Sequence, residues 1–342
     1  MSSGAVSFSI RFSDYVRSSP SLRYLFFGGK GGVGKTVIAA GTALYFAKQG
    51  RRTVISSTNP VHSLSSVFQR DIWGKGVQKI SENLYAVEFD IERTVERYRA
   101  DMREKLMAFI KSADIPVDPE PFLDAATTNP AFEEAAMFDE MVELILKDEF
   151  DVYVFDTAPV AHTYRLLGLS KVYDLWLRRL IKSREEALSM KVKLSFRKEK
   201  IIEEIKKDPI LQSALETRRK TEEAKRILTD SAKTAFFFVT LPLALPIAVI
   251  ERFITWVRAF EIPVGGVIVN EVIPRSLGKV PNPSPYVVNK LKEQDGYLEM
   301  IHRKFPDLVR AYVPLYEREV VGLEMLNRVA EALESGGIEL IQ

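Results

Sequence analysis

The chain has 342 residues, 46% of them apolar, with 48 Lys and Arg against 46 Asp and Glu. That length suits one large α/β domain with insertions or two small ones, and a net charge of +2 gives no bulk-charge case for nucleic acid. The absence of cysteine excludes disulfides, thiolate metal sites and a cysteine nucleophile, and with 27% charged residues the composition leans toward a thermophile's.

Residues 1–20 lack the basic and apolar regions of a secretory signal and read as an N-terminal tail. The longest uncharged stretch, Thr234 to Ile250, falls short of the roughly 20 residues a membrane-spanning helix needs and holds Pro242 and Pro246. A cytoplasmic protein without a membrane span is expected.

The informative stretch begins at Tyr24 to Phe27, an apolar strand. It runs into Gly28-Gly-Lys-Gly-Gly-Val-Gly-Lys-Thr36 and then an apolar-periodic helix from Val37 to Lys48. Gly29-x4-Gly34-Lys35-Thr36 is a complete phosphate-binding pattern in the strand–loop–helix context that gives it meaning. Glycines at 29, 31, 32 and 34 free backbone N–H groups, with those of Lys30, Val33 and Val37, to face the β- and γ-phosphates, and a side chain at Gly31 or Gly32 would block that approach. Lys35 supplies a point charge and Thr36 a hydroxyl for Mg²⁺. ATP and Mg²⁺ are the expected ligands.

Gly50 reads as the C-cap of the first helix, and Thr53 to Ser57 as the second parallel strand, delivering Thr58-Asn59-Pro60-Val61-His62-Ser63-Leu64 to its carboxyl end. Leu84 to Phe89 alternates as a short strand. Ile91 to Lys111 and Phe132 to Lys147 are helical, with apolar stripes of Met102, Leu106, Met107 and Ile110 on the first and Met137 and Met141 on the second. Asp151 to Asp156 is a central strand ending in an acid, placed to meet the Mg²⁺ held by Thr36. From Leu169 to Asp230 there is no glycine and no strand pattern. The stretch opens with Val172, Tyr173, Trp176 and Leu180 on an apolar helix, and Arg178 to Asp230 then carries 16 basic against ten acidic residues. Strands return at Thr234 to Thr240 and Val264 to Asn270, and Gly322 to Glu334 is a final helix. The expected fold is α/β: a doubly wound, mostly parallel sheet with helices on both faces and an all-helical insert.

With Lys30 inside its loop, the segment Lys30-Gly-Gly-Val-Gly-Lys-Thr36 resembles the deviant phosphate-loop class of dimeric ATPases. Thr58 to Leu64 resembles the first switch of the arsenical pump and tail-anchored-protein targeting ATPases, and Asp156-Thr-Ala-Pro through Leu167 resembles their second. The resemblance spans about Arg23 to Leu333. It implies a homodimer, with higher oligomers open, in which Lys30 reaches the partner's nucleotide and neutralises charge on the transferred phosphoryl group. It implies catalytic roles for Lys30, Lys35, Asp156 and the residue at 59, and base contacts from Asn270, Pro314 and Leu315. Asn59 departs from the family's Asp, which is implied to orient the attacking water, so weakened hydrolysis is expected. In the targeting ATPases the helical parts are implied to form a groove for a client's transmembrane helix, here lined by the apolar residues named on the three helices, with a membrane receptor downstream. The division expected is 1–20 as tail, 21–95, 148–168 and 231–342 as the nucleotide-binding domain, and 96–147 with 169–230 as the client-binding subdomain. Zinc is not expected, because no thiol occupies the region Lys279 to Tyr286 where eukaryotic targeting factors carry Cys-x-x-Cys. An arsenite-efflux ATPase and a partition-type ATPase are the competing functions. For the second the basic insert is the only support, and no nucleic-acid partner is expected.

Overall fold

The computed structural model describes residues 10–57, 62–113, 120–121, 130–157 and 209–342. They divide into two compact units. One takes the described residues up to Asp90, those from Lys147 to Thr157, and those from Leu228 onward; the other takes those from Ile91 to Leu146 and from Pro209 to Ile227.

The first unit is built on eight strands in the order β3-β4-β2-β5-β1-β6-β7-β8. These are β1 (Tyr24–Gly28), β2 (Thr53–Ser57), β3 (Gln78–Ser81), β4 (Leu84–Glu88), β5 (Val152–Asp156), β6 (Thr234–Thr240), β7 (Val264–Val272) and β8 (Val309–Pro314). All neighbours are parallel except the edge pair β3 and β4. β1, β2, β5 and β6 are buried at every position, which is why β1, β5 and β6 read as apolar runs rather than alternating ones.

One face of the sheet is covered by α1 (Phe12–Ser18), α2 (Lys35–Lys48), α3 (Ser63–Phe68) and the late helix at Gly322–Ser335. Ile38 to Ala47 of α2 are buried on all sides, as in a helix packed between two layers. Gly41 permits this: a Cβ there would lie 2.4 Å from Val329 Cγ1 of the late helix. On the other face Phe26 stacks with Phe155 at 4.8 Å and with Phe236 at 6.1 Å between centroids, a row of large apolar area that ties the three central strands together.

The stretch expected to be an N-terminal tail is structured from Phe12. Phe12 is fully buried against Tyr45 and Phe237, and Ser13 donates to the Glu334 carbonyl. Arg310, itself buried, donates to the carbonyls of Ile10, Gly265 and Asp307. Seven residues with mixed polarity leave too short a pattern to be read as a helix.

In the second unit, α4 (Ile91–Ala113) packs against α5 (Pro130–Leu146), with an ion pair from Arg97 to Glu140. α6 (Pro209–Thr229) reaches α5 through Lys220 and Glu143 at 3.3 Å. The first unit continues with α7 (Ala244–Ala259), α8 (Pro285–Lys304) and α9 (Gly322–Ser335). Among the described residues no helix is long and apolar enough to cross a membrane.

Candidate functional site

At the carboxyl end of β1 the chain turns through Gly29 to Gly34 into α2. Gly32 and Gly34 have φ of 80° and 84°, the left-handed region that a residue with a Cβ adopts only under strain. The turn is also crowded from beneath: a Cβ on Gly29 would meet the Val239 carbonyl oxygen at 2.4 Å, and one on Gly34 would meet Asn270 Nδ2 at 2.3 Å. Gly31 has open space above it. The loop therefore rests on β6 and β7 below and keeps one side clear, the geometry of a cradle for an anion at a helix N-terminus.

Lys35, Thr36 and Val37 form the first turn of α2. Lys35 Nζ donates to the Lys30 carbonyl at 3.3 Å, which folds the lysine back over its own loop. Burial pulls its ammonium below the ordinary lysine value, with Asp156 acting in the opposite direction. Thr36 Oγ1 donates to Asp156 Oδ2 at 2.6 Å, and Ser57 Oγ donates to the same oxygen at 3.1 Å. Burial pushes the Asp156 carboxyl up to about 6, against the hydrogen bonds from Thr36 and Ser57 and the charge of Lys35. A hydroxyl and a carboxylate side by side fit Mg²⁺, which takes one or two protein oxygens and fills its octahedron with water and phosphate oxygens. Thr36 and Asp156 would hold it, and the ion would supply charge neutralisation at the phosphates. Among the described residues no cluster of three or more metal-binding side chains offers an alternative.

Asn270, buried near the end of β7, donates from Nδ2 to the Val33 carbonyl at 3.0 Å. The amide expected at the base is a strut under the loop, holding the Val33 carbonyl from below. Pro314 ends β8, and Leu315, half exposed, lines a shallow pocket with Leu241, Leu243, Glu271 and Gln294 at the carboxyl ends of β6 and β7. Lys30 is partly exposed at the lip of the loop.

Asn59 and the second switch after Thr157 lie outside the described residues, as do Val172, Tyr173, Trp176 and Leu180. Met102, Leu106 and Ile110 fall on α4, their side chains outside the described set. Met107 is 49% exposed, whereas Met137 and Met141 are 6% and 5% exposed, so these two methionines are packed rather than presented. They stand in the interior stripe of α5, where the same 3.6-residue spacing serves a core as well as a groove.

Two residues went unread in the sequence. Ser57 and Glu88 sit on neighbouring strands in the same register as Asp156: β2 pairs Ser57 with Glu88 on one side and with Asp156 on the other. Glu88 is fully buried and accepts from Leu64 N, Ser65 N and Ser65 Oγ. The signal was present, since the alternating strand at 84–89 carries an acid near its carboxyl end just as β5 does.

A mostly parallel sheet whose central strand feeds a glycine loop and a helix, with lysine, threonine and a strand-end aspartate converging there, defines a phosphate-loop nucleotide-binding protein. More narrowly, the chain belongs to the anion-transporting ATPase family, whose model matches residues 22–335. It is 29% identical to the putative arsenical pump-driving ATPase 2 of Aquifex aeolicus over 92% of this chain and 100% of that one. It is 28% identical to ATPase ASNA1 homolog 2 of Paramecium tetraurelia over 93% of this chain and 95% of that one. With ATPase GET3A of Arabidopsis thaliana the identity is 30%, over 90% and 82% of the respective chains.

Proposed function

We propose that the protein is a Mg²⁺-dependent, homodimeric ATP switch of the cytoplasm that shields the hydrophobic segments of tail-anchored membrane proteins and delivers them to a membrane receptor. The observation that carries this reading is the second compact unit, all-helical among its described residues and inserted into a phosphate-loop ATPase fold, with Met107 and Leu215 exposed on it. Long helices with methionine and leucine on an open face suit binding of varied apolar helices. The relatives named ASNA1 and GET3 match along nearly the whole chain and support the same reading.

Lys30 at the lip of the loop serves the partner's nucleotide, and Asn59 makes turnover slow because an amide cannot accept a proton from water as a carboxylate does. Asn270, Pro314 and Leu315 hold the adenine. α4, on which Met107 is exposed, contributes to the client groove. Co-expression with a tail-anchored substrate tests the function: recovery of a soluble complex is expected, and its absence from a protein that still binds nucleotide would refute the targeting role.

A second reading, the energising subunit of an arsenite pump, is supported by the Aquifex name. Soft arsenite favours thiolate ligands and this chain has no cysteine, so arsenite is expected to leave phosphate release unchanged.

A further inference from the structure

The acid at the phosphate site is joined to another part of the fold by side chains outside the phosphate loop. Thr36 and Ser57 both donate to Asp156 Oδ2. Ser57 Oγ also lies 3.1 Å from Ser63 Oγ at the first residue of α3. A hydroxyl has one proton to give. With that of Ser57 directed to Asp156, Ser63 is the donor to Ser57. The polarity of the chain is therefore set: Ser63 gives to Ser57, and Ser57 gives to the carboxylate.

The same helix is held from its other side. Glu88 takes the backbone N–H groups of Leu64 and Ser65 and the hydroxyl of Ser65. These are donors that a helix start leaves without intrahelical partners. The backbone of Glu88 meanwhile bridges to Trp73 and accepts from Gly74 N at 3.0 Å. The Trp73 ring stacks on His62, at 4.1 Å between centroids and 17° between planes. Glu88 thus fixes both α3 and the ring that lies against the residue preceding it.

We propose that Ser63 and Glu88 are positioning residues that couple occupation of the metal and phosphate site to the start of α3. Mg²⁺ held at Asp156 would draw electron density from the carboxylate, weaken it as an acceptor for Ser57 and so loosen the Ser63–Ser57–Asp156 chain at the start of α3, while Glu88 supplies the fixed point against which α3 pivots. The inference rests on the nucleotide-binding reading and extends it to a transmission route.

Trp73 makes the route measurable. In full-length protein carrying Trp176→Phe and Trp256→Phe, Trp73 is the sole tryptophan. Its emission is expected to shift when Mg²⁺ and ATPγS are added together, and much less with ATPγS in EDTA. Ser63→Ala should keep Mg²⁺·ATPγS affinity within about threefold while cutting the Trp73 response at least about fivefold, because coupling and affinity are separate quantities. Ser63→Thr, which restores the hydroxyl, should restore the response. Glu88→Gln should also lose the response. If that buried change prevents folding, Ser65→Ala removes one of the three donors and should reduce the response in the same direction.

A merely structural role predicts a lowered unfolding temperature with the metal-dependent shift intact. Ser63→Ala with a full Trp73 response would overturn the coupling, as would a parent that binds Mg²⁺·ATPγS with no Trp73 shift. A parent that binds no nucleotide at all would overturn the proposed function together with this inference.

Discussion

Asn270→Ala separates two roles that one amide can play. In the structure Nδ2 donates to the buried Val33 carbonyl at 3.0 Å, and the amide lies directly beneath Gly34. Removing the donor leaves a buried carbonyl without that partner, a cost of about 1–3 kcal/mol. That cost divides between two observables. If the loop keeps its shape, the cost appears in folding stability; if the free loop relaxes so that the carbonyl meets water, it must be restored on binding and appears in affinity. The two losses should together come to about 1–3 kcal/mol, so affinity falls by at most about 150-fold. Titrations with Mg²⁺·ATP, Mg²⁺·GTP and Mg²⁺·tripolyphosphate, alongside thermal unfolding, measure both shares. A strut under the phosphate loop predicts equal weakening for all three ligands, since none of the lost energy belongs to the base. Unchanged tripolyphosphate binding and unchanged stability, with only ATP weakened, would refute the strut and leave a base contact alone.

Gly41→Ala should destabilise by about 1–3 kcal/mol through overpacking on Val329, and Val329→Ala in the same chain should recover part of it, as a double-mutant cycle by denaturant unfolding would show. The Asp156 carboxyl sits at about 6, raised from 3.8 by burial, and Mg²⁺ requires the ionised form. Mg²⁺-dependent nucleotide affinity should therefore rise from about pH 5 to 7, with a flat isothermal-titration profile counting against this. The metal-free protein responds with the opposite sign: because the native state holds this proton more tightly, its stability falls as pH rises from 3.8 through about 6. His302, whose Nε2 lies 2.5 Å from the Tyr312 hydroxyl, is held by burial below its ordinary value of 6.5. The unfolded chain then takes up the proton first, so stability is lost as pH falls below 6.5, and His302→Gln should flatten that limb of a Tm-against-pH series. Asn59→Asp should raise steady-state phosphate release by roughly tenfold or more if the carboxylate orients water as a general base; no gain would remove Asn59 as the cause of slow turnover.

What could be read in the sequence and what could not follows from the range of each interaction. The phosphate loop was legible because its chemistry is local: consecutive glycines, a lysine and a threonine make the cradle within one turn of chain. The buried parallel strands were legible for a related reason, as burial on both faces leaves an unbroken apolar run at β1, β5 and β6. α1 was missed because its stability comes from Phe12 packing on Tyr45 and Phe237, far along the chain, and seven residues carry no period of their own. Glu88 and Ser57 were missed on the same physical ground. An acid and a hydroxyl near strand ends are ordinary in sequence, and become a connected device only when pairing sets β4, β2 and β5 side by side with Glu88, Ser57 and Asp156 in one row. That row places one acid over the metal position and the other over the amides of α3, with a serine between them bonded to the first acid and to the helix the second holds. Register thus turns two unremarkable strand ends into a path from the phosphate site to a helix.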